Sequence, residues 1–211
     1  GGLAALLWSC LLPCFLASFF LFPGEPAPPV PGEAEGPTLT LALVGDVMLG
    51  RGVAQALDGD WVAAFAEVRP WLAEADGSTE FAEVLAFANL ESPLTTVPFP
   101  PSVPPIGGDE GGAYELRAPP EAVVALEDAG FDVVSLANNH GMDYGAEALT
   151  QALNLLHQQG LITVGAGKNS AAAYAPRVVE VNGLKTAFLG YVNVPVEGGG
   201  FDVATWTAAQ D

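Results

Sequence analysis

One stretch of the chain, Ala137-Asn138-Asn139-His140-Gly141-Met142-Asp143-Tyr144-Gly145, concentrates the residue types best suited to chemistry. An imidazole beside two amides, with a carboxylate three residues on, offers a neutral nitrogen, amide oxygens and an anionic oxygen. Such a set suits a divalent metal or a polarised oxygen. It equally suits a loop that caps the next helix through Asn and Asp side chains. Two more polar clusters stand after apolar runs: Asp46 within Gly45-Asp46-Val47-Met48-Leu49-Gly50-Arg51, and Asn89 with Glu91 in Asn89-Leu90-Glu91-Ser92-Pro93. Asp46, Glu91, Asn139 and His140 together would form a hard, oxygen-rich set favouring Mg²⁺, Mn²⁺ or Ca²⁺, whereas Fe or Zn ask for more nitrogen. A two-metal hydrolase uses a bridging carboxylate and usually several His, and this chain has two His, His140 and His157.

The remaining candidates read as structural. His157, near the end of a helical pattern, suits a surface or C-terminal capping role. Arg51 could hold an anionic group or pair with an acidic neighbour. Gly165-Ala166-Gly167 lacks the further glycine of a dinucleotide loop and reads as a turn, and Ser92 has no His in sequence to activate it.

The elements that must position these groups follow from apolar patterning. Thr38 to Val44, Val84 to Ala88, Phe131 to Leu136 and Leu161 to Val164 are apolar runs of strand length. Residues 53–75 read as mainly helical, anchored by Trp61, Phe65 and Leu72 and interrupted at Pro70. Pro119 to Ala129 has helical spacing between Pro and Gly130, and Gly145 to Gln159 carries Leu149, Leu153 and Leu156 on one side. Asn182-Gly183 between Arg177–Val181 and 185–191 is a hairpin signal. Pro98 to Gly112 is a Pro- and Gly-rich loop. Alternating strands and helices, then a hairpin, predict an α/β domain with some antiparallel pairing. Each polar cluster directly follows a strand, and in open α/β sheets ligands bind at the carboxyl ends of strands. The clusters are therefore expected to converge.

Length and charge bound the rest. A chain of 211 residues can bury one substantial core. Six Lys and Arg against 25 Asp and Glu give a formal charge of −19, which excludes nucleic-acid or anionic-lipid binding by bulk electrostatics. Both cysteines, Cys10 and Cys14, precede the domain, so the domain has no disulfide and no thiolate metal site.

From Leu3 to Phe22 no residue is charged. Residues 1–22 thus read as a signal peptide or an N-terminal membrane anchor, with a buried soluble helix as the bland alternative and lipid attachment at Cys10 as a minor one. Residues 23–37, rich in Pro, Gly and Glu, read as an extended linker. The domain is expected over 38–211, outside the cytoplasm.

The motifs around Asp46 and Glu91, with Arg117-Ala118-Pro119-Pro120 and the run from Gly130 to Gly145, resemble the CapA family of capsule and poly-γ-glutamate synthesis proteins. The resemblance runs from about Thr38 to about Val194. It implies a metallo-dependent phosphatase-like β-sandwich flanked by helices, here truncated at the C-terminus. It also implies a membrane-anchored, extracytoplasmic protein at the bacterial cell surface, serving a polyanionic capsule polymer or its synthase complex. By resemblance, Asp46 matches the first metal-binding carboxylate, Glu91 stands in place of the bridging Asp, and Asn139 is the amide ligand of a divalent metal (Mn, Fe or Mg). His140 stabilises or protonates the leaving oxygen and Asp143 orients it. Met48 departs from the pattern, since a phosphoesterase has its first His there. The later His motifs of the pattern fall beyond Asp211. The residues thus leave open a metal-dependent hydrolase or transferase, a non-catalytic accessory subunit of a polymer synthase, and a domain with polar loops and no ligand.

Overall fold

The computed structural model describes residues 36–73, 83–98 and 116–192. The segment 1–22 and nearly all of the linker 23–37 lie outside the described residues, as does the loop from 99 to 112. Among the described residues no helix is long and apolar enough to cross a membrane.

Strand β1 (Thr40–Val47) leads to helix α1 (Arg51–Leu57), a 3-10 turn (Trp61–Phe65) and a short helix α2 (Arg69–Leu72). Strand β2 (Val84–Leu90) precedes a 3-10 turn (Pro120–Ala122) that runs into α3 (Val123–Ala129), then β3 (Val133–Ser135), α4 (Gly145–Gln158) and β4 (Ile162–Val164). Helix α5 (Ser170–Tyr174) and the strands β5 (Arg177–Val181) and β6 (Leu184–Phe188) complete the described order. The sheet is parallel, in the order β1-β2-β3-β4, and β5-β6 form a separate antiparallel pair. The expected α/β class with an antiparallel hairpin is what the chain adopts.

Period-two alternation assigns each strand residue to one of two apolar layers. Ala86, Ala88, Leu90 and Val134 join Leu126 of α3 and Leu149, Ala152 and Leu156 of α4 in the larger core. The alanines let these helices approach the sheet closely. Leu126 and Leu156 are fully buried, and truncating either to Ala would cost about 2–5 kcal/mol. Phe65 meets Phe131 edge-on at 5.4 Å. On the opposite face Leu85, Val133 and Val164 pack with Phe188 of the hairpin, which stacks on Phe87 at 5.5 Å. The hairpin turns at Asn182 (φ 51°) and Gly183 (φ 76°), as a two-residue primed turn requires. It leaves the edge strand uncovered: Leu41 is 44% exposed and Leu43 63%.

Two local features differ from expectation. The helical reading of 53–75 breaks into three pieces, because Asp58 (φ 44°) and Gly59 (φ 90°) turn the chain left-handed after α1 and Pro70 starts a new helix. Helix α5 was not anticipated; Asn169 caps it by accepting a hydrogen bond from Ala172 N–H at 2.8 Å.

Two backbone approaches fix the strand-end loops. A side chain at Gly50 would collide with the carbonyl oxygens of Leu116 and Arg117, so the turn after β1 lies directly on that segment. A side chain at Gly165 or Gly190 would collide across their mutual contact, which also abuts Ala137. The hairpin's end therefore rests against the start of the His140 loop.

Candidate active site

The parallel register places the polar clusters side by side, with Asp46 opposite Asn89 and Asn89 opposite Ser135. A continuous chain of contacts results. Asn89 Nδ2 donates to Asp46 Oδ1 at 2.8 Å and to Glu91 Oε1 at 2.7 Å. Glu91 Oε2 lies 3.7 Å from His140 Nε2, and His140 Nδ1 lies 2.8 Å from Asp143 Oδ2. Asp46, Glu91, His140 and Asp143, chosen from sequence, thus share one site. Asn139 joins it through His140: its Nδ2 lies 2.9 Å from His140 Nε2.

These contacts set the imidazole's protonation pattern. In the tautomer with its hydrogen on Nδ1, His140 donates to the Asp143 carboxylate and Nε2 is left to accept from the Asn139 amide. Both His140 and Asp143 are buried, so the pair is shielded from water.

Glu91 is the electrostatically stressed member. Burial pushes its carboxyl above the usual carboxylate range, and the neighbouring Asp46 adds to the rise. His140 and the Asn89 amide work in the opposite direction without cancelling it. The crowded carboxylate oxygens are donors of the chemical type that a hard divalent cation takes. The Asn89 amide hydrogens bridge Asp46 and Glu91. Among the described residues no three His, Cys, Asp or Glu side chains converge as a metal shell.

Sequence reasoning missed the residues that hold the site together. Asn138 is buried; its Nδ2 donates to Leu90 O at 2.8 Å and Asn89 Oδ1 at 3.0 Å, while its Oδ1 accepts from His140 N–H at 3.1 Å. It ties the β2 loop to the β3 loop. Ser92 Oγ accepts from Leu49 N–H at 2.9 Å and ties the β1 loop to the β2 loop, a positional role and not a nucleophile's. Arg117 donates to Val97 O at 3.0 Å and lies 5.6 Å from the ring centroid of buried Tyr144. Adjacent Asn138 and Asn139 are identical in type, so composition could not say which one faces the interior.

The other candidates stand apart. His157 is exposed, and its Nε2 lies 2.9 Å from Thr163 Oγ1, so it links α4 to β4 rather than capping the helix with its ring. Arg51 is exposed and opens α1 with a left-handed φ of 54°. Gly165-Ala166-Gly167 is buried where β4 ends.

Comparison with known proteins now adds identity. Residues 40–210 match the model of the family described as "Bacterial capsule synthesis protein PGA_cap". The "Capsule biosynthesis protein CapA" of Bacillus anthracis is 30% identical over 174 residues, covering 78% of this chain and 37% of that protein. The "PGA biosynthesis protein CapA" of Bacillus subtilis is 28% identical over 181 residues, covering 85% and 44%. A Mycobacterium tuberculosis protein named "Probable polyglutamine synthesis accessory protein" is 31% identical over 195 residues, covering 82% and 50%. The chain therefore spans half or less of the length of these relatives. Matched along most of its own length, from β1 past the hairpin, the chain belongs to the bacterial capsule synthesis protein family that includes CapA.

Proposed function

We propose that this protein is a metal-dependent hydrolase or transferase of capsule polymer synthesis, acting on a phosphoryl or γ-glutamyl bond. The observation that carries the reading is the buried Asp143–His140 pair aimed at Glu91. His140 takes a proton at Nε2 and returns it to the leaving oxygen or nitrogen, and Asp143 stabilises the imidazolium formed. The resemblance to the CapA family, with the phosphatase-like sandwich it implies, supports a Mn, Fe or Mg ion held by Asp46, Glu91 and Asn139. Such an ion, when bound, makes a water acidic enough to be a nucleophile near neutral pH. The uncharged stretch from Leu3 to Phe22 supports attachment to a membrane with the domain outside the cytoplasm. The polyanionic polymer meets a chain of charge −19, so contact between them calls for bridging cations.

A second reading, a non-catalytic accessory subunit of the polymer synthase, is favoured by two observations. Met48 stands where the first His of the phosphoesterase pattern belongs, and the Asn89 amide bridges the carboxylates. The word "accessory" in the name of the mycobacterial relative agrees with it.

One experiment separates the two. The full chain with added Mn²⁺ is assayed on bis(p-nitrophenyl) phosphate and on a γ-glutamyl anilide. Turnover that is lost in His140→Ala, with Mn²⁺ binding retained, supports the enzyme. Metal-loaded protein that turns over neither substrate overturns it and leaves the accessory subunit.

A further inference from the structure

Beside the polar cluster lies a cavity of about 520 Å³, between the end of β1, one face of α1 and the turn at Trp61–Phe65. Its size falls within the range of small-molecule sites. Among the described lining residues Asp46 alone is ionisable; Met48, Val53, Leu57, Ala64 and Phe65 give the rest an apolar character. We propose that this cavity is an apolar subsite, which takes the hydrocarbon tail of a single-chain amphiphile whose polar end lies at Asp46.

Three observations support it. First, α1 has no buried residue, whereas α3 and α4 each bury four. Val53 and Leu57 border the cavity half-buried, Leu57 also packing on the main core, and the apolar surface they still leave in water is unfavourable until something covers it. Second, the wall is pre-formed: the turn ahead of α1 is pinned at Gly50 against the Leu116 and Arg117 carbonyls, so α1 cannot slide inward to close the gap. Third, the one polar side of the cavity is Asp46, which Asn89 links to Glu91 and onward to His140. A molecule with its tail in the cavity thus presents its head to that cluster. That the tail belongs to a reacting substrate rests on the hydrolase reading; tail binding itself does not.

The test titrates the full chain with n-butanol, n-hexanol and n-octanol, neutral ligands that need no metal, followed by methyl NMR shifts. Affinity is expected to rise about fourfold per added methylene, or about 16-fold per step of the series. In Ala56→Trp and in Ala63→Trp, exposed positions on opposite walls, the rise should flatten while core methyl shifts stay native. Affinity independent of chain length, or a rise that survives both substitutions, overturns the subsite. A second titration uses n-octyl phosphate with and without Mn²⁺. Should the alcohol series climb while octyl phosphate is indifferent to Mn²⁺ and neither it nor a γ-glutamyl anilide is turned over, the subsite stands and the hydrolase reading falls.

Discussion

The two sides of the site are built differently. Around β2 and β3 the polar groups are buried and interlocked: Asn138 reaches Leu90, Asn89 and His140, and Asp143 grips the imidazole. Around β1 the carboxylate of Asp46 is exposed, α1 only half-buries Val53, Ala54 and Leu57, and a cavity stands beside its outer face. Buried polar networks hold geometry because breaking them strands desolvated donors and acceptors. An open, apolar-lined wall can instead change its occupant at little cost. The interlocked side suits a proton relay, and the open side suits a ligand.

Breaking the interlocked side should have the largest effects. His140→Ala should lower kcat by about 10²–10⁴, measured on the Mn²⁺-loaded chain, and, because it strands the buried Asp143 carboxylate, should also destabilise by about 1–3 kcal/mol in urea unfolding. Asn138→Ala strands the Leu90 carbonyl and the His140 amide and should destabilise by about 2–4 kcal/mol in urea unfolding.

Glu91 lies on the boundary between the sides, and its test is one of pH. Its carboxyl titrates above the usual range in the folded state, so the folded protein holds the proton more tightly than the unfolded chain. The stability it contributes is complete below the ordinary carboxylate range and is lost as pH rises through the raised value. In chelator, Glu91→Gln should therefore gain thermal stability on the parent near neutral pH and match it below about pH 4. A constant difference across that window would show that charge is not the cause.

The open side should respond least. Asp46→Asn, at an exposed carboxylate, should change stability by no more than about 0.5 kcal/mol while weakening Mn²⁺ affinity. Equal destabilisation by Asp46→Asn and Asn138→Ala would erase the contrast.

What the sequence revealed follows the same division. Parallel strands read from apolar runs place their ends along one edge, so the meeting of Asp46, Glu91 and His140 was legible from position alone. The membership in the capsule synthesis family was legible because its motifs are those same strand-end loops. The role of Asn138 was not, since which of two adjacent amides turns inward depends on the path of the loop around Leu136 and Gly141. The mainly helical region after β1 and its interruption at Pro70 were legible, but the break at Asp58 and Gly59 was not, because helical patterning extends across the left-handed backbone that ends α1. No periodicity announces a cavity, which exists only once the flanking pieces are placed.

The contact between Gly165 and Gly190 means that the His140–Asp143 pair is vulnerable to uncharged lesions far from it in sequence. A single methyl group on residue 190 would press into the Gly165 backbone and the Ala137 side chain, one residue before Asn138. The displacement would travel along covalent bonds into the imidazole's aim, so a loss-of-function variant could carry every polar group of the site intact.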